Sequence, residues 1–182
     1  MLSGSMDASM KLFDLNAEKS RQAYRGHTDA INSVNFQPFT NFFVSASADK
    51  TISVWDMKTG LTIQTFYGHL NSVNEASFSI SGHLIASCDS DGIVKVWDIR
   101  MVQEVLQLDT GDSIAQSVCF DKTNTLVAVG CADASVKMIN VEKGEIVNTL
   151  KGHDDSVNQV IINQDNTTLY TASSDGTVRV WK

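Results

Sequence analysis

Residues 173–182 read SSDGTVRVWK, and residues 47–56 read SADKTISVWD. Setting the chain against itself brings further identities into line. Trp55, Trp97 and Trp181 stand at steps of 42 and 84 residues. Gly26-His27, Gly68-His69 and Gly152-His153 fall on multiples of 42 as well. Asp7, Asp49, Asp91, Asp133 and Asp175 keep the same step without a slip. A register held that long marks a repeat architecture, in which each unit buries its apolar face only by stacking on its neighbours.

One unit reads as strands. In residues 26–67, INSVNF carries apolar Ile31, Val34 and Phe36, and the three-residue step from Ile31 to Val34 predicts a bulge at Asn32-Ser33. NFFVSAS, TISVWDM and TIQTFYG follow, separated by the turn clusters QPFTN, ADK and KTG. Helical periodicity is absent. Four short antiparallel strands in 42 residues describe one blade of a β-propeller. Position 46 and its equivalents are Ala46, Cys88, Gly130 and Ala172, all small, as crowding toward a central axis requires. The fold class predicted is therefore all-β, an open arc of about four and a half four-stranded blades.

The register places a partial unit at 1–25 without its innermost strand, units at 26–67 and 68–109, a degenerate unit at 110–151, and a final unit at 152–182 without its outer strand. Because a propeller closes by joining complementary ends, these ends predict the C-terminal part of a larger ring, with exposed edges that associate or are clipped.

Composition narrows the function. The chain has 182 residues and a net charge of −7, with no cluster of lysine and arginine. That leaves phosphate-backbone binding little to work with and argues against nucleic acid as a partner. No long apolar run is present to span a membrane, and MLSGSMDASM, with neither a charged n-region nor an apolar h-region, is not expected to act as a signal segment. Cys88, Cys119 and Cys131 form no C-x-x-C pair, which fits a reducing, cytoplasmic setting.

Each well-kept unit contains His, a hydroxyl residue, Asp and Trp at offsets of 18, 4 and 6: His27, Ser45, Asp49, Trp55; His69, Ser87, Asp91, Trp97; and His153, Thr171, Asp175, Trp181. Ser, His and Asp together suggest a hydrolase triad. A catalytic site is needed only once, however, and a set that recurs three times with a tryptophan reads as a structural hydrogen-bond chain. No catalytic, cofactor-binding or metal residues are assigned. In the degenerate unit the tetrad positions hold Gly111, Val129, Asp133 and Ile139, which predicts a looser loop at 109–115. Asn32, Asn74, Gln116 and Asn158 form a carboxamide column at the predicted bulge, read either as local support for the bulge or as a face that holds a partner's backbone.

The Gly-His pairs, the S-x-S-x-D-x-T run and the Trp-Asp ending resemble the WD-repeat family over essentially the whole chain. That resemblance implies a propeller acting as a non-enzymatic protein–protein interaction scaffold, with partners bound on the face carrying the Gly-His loops. Finer wording (LSGSMD at 2–7, YRGHTDAINSVNFQPFTN at 24–41, YGHLNSVNEASF at 67–78, GHLIASCD at 82–89) is similar to WD-repeat proteins of the ciliary and flagellar central apparatus. It implies a structural role in the axoneme, with central-apparatus proteins as partners and motility and assembly as the processes served. Direct contact with tubulin stays open. The alternative is a general WD-repeat adaptor: a ubiquitin-ligase substrate receptor, or a chromatin or signalling scaffold.

Overall fold

The computed structural model describes residues 1–163 and 165–182. Their strands form five antiparallel sheets, each a meander whose strands pair in chain order. The first sheet has three strands, β1 (Leu2–Gly4), β2 (Ser9–Asp14) and β3 (Lys19–Arg25). The second has four: β4 (Ile31–Phe36), β5 (Phe42–Ser47), β6 (Ile52–Asp56) and β7 (Thr62–Phe66). The third comprises β8 (Val73–Phe78), β9 (Leu84–Asp89), β10 (Ile93–Asp98) and β11 (Gln103–Asp109). The fourth comprises β12 (Ala115–Phe120), β13 (Leu126–Cys131), β14 (Ser135–Asn140) and β15 (Glu145–Lys151). The last has three, β16 (Val157–Ile162), β17 (Leu169–Ser173) and β18 (Val178–Trp181). This is the all-β open propeller arc that the repeat predicts.

The core lies between sheets. Val44, Ala46, Ile52, Val54 and Phe66 of the second sheet pack on Val73, Ala76, Phe78, Ile85 and Trp97 of the third. Equivalent layers join the first sheet to the second, the third to the fourth and the fourth to the fifth. Stacking is the source of stability because a lone meander has an apolar face on each side and nothing to cover either. The last sheet shows the consequence. Tyr170, Val178 and Val180 are 40%, 69% and 53% exposed, whereas Ala86, Val94 and Val96 at the same register in the third sheet are fully buried.

The small column has a local cause. A Cβ on Gly130 would lie 3.0 Å from both the Val157 side chain and the Val157 carbonyl. It is therefore the neighbouring sheet's innermost strand, ahead of the axis itself, that demands small residues here. The four innermost strands each carry a register shift, at Ile31/Ser33, Val73/Glu75, Ala115/Ser117 and Val157/Gln159. The skipped residue is in every case the carboxamide: Asn32, Asn74, Gln116 or Asn158.

Candidate functional site: the Gly-His face

In the second sheet His27 Nδ1 lies 2.7 Å from Asp49 Oδ2, and His27 Nε2 lies 2.7 Å from Ser45 Oγ. A carboxylate only accepts, so Nδ1 carries a proton and donates to Asp49, while Nε2 pairs with the hydroxyl. Trp55 Nε1 donates to the same Ser45 Oγ at 2.8 Å. The last sheet repeats this with His153, Asp175, Thr171 and Trp181 at 2.7 to 2.9 Å. The chain ties the turn before the innermost strand to the turn between the next two.

The third sheet requires a correction. His69 Nδ1 donates to Asp89 Oδ2 at 2.7 Å, and Asp91, the residue the 42-step register selects, accepts instead from Asn71 Nδ2 at 2.9 Å. The reason lies two residues downstream. Thr51 and Thr177 donate their hydroxyls to Asp49 and Asp175 at 2.6 Å and hold those carboxylates under the ring. The equivalent residue is Ile93, which has no hydroxyl, and an aspartate stands at 89 where the other sheets have Ser47 and Ser173. Asp89 then takes the histidine along with the backbone N–H groups of Asp91 and Ile93. Ser87 and Trp97 keep their places, with His69 Nε2 at 2.7 Å and the indole N–H at 2.9 Å from Ser87 Oγ.

Protonation follows from these partners. Burial would raise the Asp49 and Asp89 carboxyls, but hydrogen bonds outweigh it, from Thr51 and His27 in one case and from His69 and Ile93 in the other. Both lie below the usual carboxylate range. The Thr177 hydroxyl, ahead of His153, depresses Asp175 as well.

Glycine belongs to the same device. A Cβ on Gly26, Gly68 or Gly152 would meet the indole Cη2 of Trp55, Trp97 or Trp181 at 2.8, 3.1 or 3.0 Å. Where the fourth sheet has Ile139 in place of the indole, the glycine position is occupied by Thr110. The apolar Val129 and Ile139 are fully buried there, so the serine and the tryptophan are removed as a pair and no polar atom is orphaned. The loop expected to be loose carries substitute ties. Thr110 Oγ1 donates to the Gly92 carbonyl at 2.7 Å, Lys137 Nζ donates to the Thr110 carbonyl, and Asp133 N–H donates to Ser113 Oγ at 2.9 Å.

None of the hydroxyls can meet a substrate. Ser45 and Ser87 are fully buried and Thr171 is 1% exposed, and each already accepts an indole N–H. Burial pushes the Cys88 and Cys131 thiols up and holds Cys119 at about 12, so none is a ready thiolate.

The carboxamide column does a job that sequence reasoning missed. Asn32 Nδ2 donates to the Val73 carbonyl at 2.8 Å, and Asn74 Nδ2 donates to the Ala115 carbonyl at 2.8 Å. These two bulges turn their amides onto the first residue of the next sheet's innermost strand, 41 positions on. Asn158, with no following sheet, bonds Ser174 Oγ within its own sheet at 2.8 Å. The residue after the bulge adds a second clip in three of the four strands: Ser33 Oγ, Glu75 Oε2 and Ser117 Oγ accept the N–H of Ala76, Val118 and Val160 at 3.1, 2.9 and 3.1 Å. The carboxamide column was readable, but nothing in the residue types says that a bulged amide points sideways. Asn74→Ala is expected to lower stability by about 0.5–1.5 kcal/mol and Asn158→Ala by much less. Denaturant melts of the two variants check this, and equal effects would mean that the amides support only their own bulges.

The two ends of the arc differ in charge. Loops at the Gly-His end (5–8, 26–30, 48–51, 67–72, 90–92, 110–114, 132–134, 152–156 and 174–177) carry nine aspartates and one lysine, Lys50. Loops at the other end (15–18, 37–41, 57–61, 79–83, 99–102, 121–125, 141–144, 163 and 165–168) carry four acids against four bases. The net −7 of the chain is thus concentrated on one face.

Stacked four-stranded meanders pinned by Gly, His, Asp, a hydroxyl and Trp define a repeat propeller of the interaction-module class. The chain belongs to the WD40 family: the family model described as "WD domain, G-beta repeat" matches residues 18–56, 60–98 and 144–182. The model of the "Anaphase-promoting complex subunit 4 WD40 domain" matches residues 100–162, which span the degenerate unit. No curated protein matches the chain. WD40 domains mediate protein–protein interaction and are generally non-enzymatic scaffolds.

Proposed function

We propose that the protein is a structural scaffold of the ciliary and flagellar axoneme, a cytoplasmic cytoskeletal component of the central apparatus that serves motility and assembly. The observation that carries the scaffold part is the closure of every His–hydroxyl–Asp set. All the groups that resemble chemistry are buried and bonded to one another, so what the chain offers to other molecules is its loops. The axonemal part rests on resemblance to the C-terminal propeller of the sperm-associated-antigen WD-repeat protein. GHLIASCD at 82–89 belongs to that wording, and it contains the Asp89 that departs from the other units. The Gly-His face, with Asn32, Asn74, Gln116 and Asn158 at its centre, is the partner-binding surface in this reading.

A second reading, a general adaptor within a multi-protein assembly, is favoured by the match of residues 100–162 to a domain named for a subunit of the anaphase-promoting complex. Proximity labelling from this chain in a ciliated cell separates the two. Marked central-apparatus neighbours support the axonemal role, whereas neighbours confined to nuclear or ubiquitin-ligase assemblies overturn it.

A further inference from the structure

At the Gly-His end of the axis a cavity of about 410 Å³ is lined by Asn32, Asn74, Gln116, Asn158, Gln159 and Glu75, together with Ile31 and Ser33. Five of these eight are neutral carboxamides. Glu75 is 9% exposed and is the one charged residue among those lining the cavity. Its Oε2 accepts the Val118 N–H at 2.9 Å and its Oε1 accepts from Gln159 Nε2 at 3.2 Å, two bonds for a group that can take about four. None of the ion pairs among the described residues includes it.

The register shows that the inter-sheet clip itself needs no charge. Ser33 and Ser117 occupy the same position in the neighbouring sheets and accept the same inter-sheet N–H with a hydroxyl. A serine at 75 would serve the clip equally well. A carboxylate there instead places a nearly buried acid, with acceptor positions unused, on the wall of the cavity. The cavity opens on the face whose loops hold nine aspartates against one lysine, so the approach to it attracts positive charge.

We infer that this cavity receives the cationic side chain, lysine or arginine, of a basic segment of a partner protein, with Glu75 as the counter-charge and the surrounding carboxamide oxygens taking its remaining N–H groups. This rests on the scaffold reading and specifies the chemistry of its binding face. Arginine has the better fit because its planar fork presents five donors to several acceptors at once, where the lysine ammonium presents three.

The test is a titration of the ¹⁵N-labelled chain with the capped peptide Gly-Ser-Gly-Arg-Gly-Ser-Gly and with versions carrying lysine or the neutral isostere citrulline in place of arginine. The arginine peptide is expected to shift the side-chain amide signals of Gln116 and Gln159 saturably, the lysine peptide to do so more weakly, and the citrulline peptide to leave them in place. Glu75→Gln keeps an acceptor for the Val118 N–H and should weaken binding by about tenfold or more. Gln116→Arg, which leaves Glu75 in place, should fill the cavity with an internal cation and abolish binding, so the result does not depend on one variant folding. Equal shifts with citrulline, or unchanged affinity in a folded Glu75→Gln or Gln116→Arg chain, would overturn the inference. A chain that marks its cellular neighbours yet ignores the arginine peptide loses this inference and keeps the scaffold reading.

Discussion

Trp97→Ala is expected to lower the unfolding free energy by about 3–5 kcal/mol, more than any other single truncation considered for this chain. The indole is 4% exposed and belongs to the layer between the second and third sheets. Phe66 of the preceding sheet packs against it with ring centroids 5.5 Å apart, and the Lys95 ammonium lies 5.5 Å from its centroid. The indole also covers Gly68 and supplies the N–H that Ser87 accepts. Alanine opens a cavity at an inter-sheet layer, removes the roof over the Gly68-His69 turn and leaves a buried hydroxyl one bond short. Trp97→Phe separates these terms: it restores most of the packing but not the N–H, and should cost about 1–3 kcal/mol. Denaturant melts give the totals, and hydrogen exchange locates the loss, which should concentrate in β7 to β11 because each sheet is held by its neighbours alone. An alanine variant within about 1 kcal/mol of the parent would show that the indole is not the pin of its blade.

The architecture was legible because it rests on residue types that are not exchanged one at a time. An indole, the glycine beneath it and the histidine beside that glycine constrain one another sterically, so all three appear together at 26–55, 68–97 and 152–181 and lapse together at 110–139. The degenerate unit makes the dependence visible: when Trp becomes Ile139, the glycine becomes Thr110 and the histidine becomes Gly111. Strand order follows from the same spacing, since four strands and three turns fill one period.

The side-chain network was less legible. A fixed register compares identities at equal positions and carries no information on which of two nearby carboxylates turns inward. SCDSDG at 87–92 offers both Asp89 and Asp91, and the deciding residue is Ile93, whose lack of a hydroxyl releases the later one. The carboxamides were ambiguous for a related reason. Asn suits a bulge, but its partner is a carbonyl 41 residues away on another sheet, and composition around Asn74 does not reveal it. The loops at 109–115 show the reverse error. Loss of the tetrad predicts slackness only if nothing replaces it, and Lys137 and Thr110 supply bonds that the consensus positions do not encode.

Asp89→Ala and Asp91→Ala should differ sharply, although the two residues stand two positions apart. Removing the Asp89 carboxylate strands the His69 Nδ1–H, which sits on a ring whose side chain is 1% exposed, and also releases the N–H groups of Asp91 and Ile93. An unsatisfied buried donor costs about 1–3 kcal/mol, so the melting temperature should fall by several degrees. Asp91→Ala loses an exposed bond to Asn71 and should stay within about 0.5 kcal/mol. Acid titration gives an independent readout. The hydrogen bonds that outweigh burial hold the folded Asp89 carboxyl below its unfolded value of about 3.9. A depressed folded value means that the stabilisation is complete above the unfolded pKa and is lost as pH falls through the folded one. The parent chain should therefore hold its melting temperature from neutral pH down to about 5 and lose it below about 4. Asp89→Ala should start lower and fall less steeply, because one of the carboxylates that drives the loss is already gone. If Asp91→Ala instead shows the larger drop and the flatter acid limb, the histidine is held by Asp91 and the register alone was the better guide.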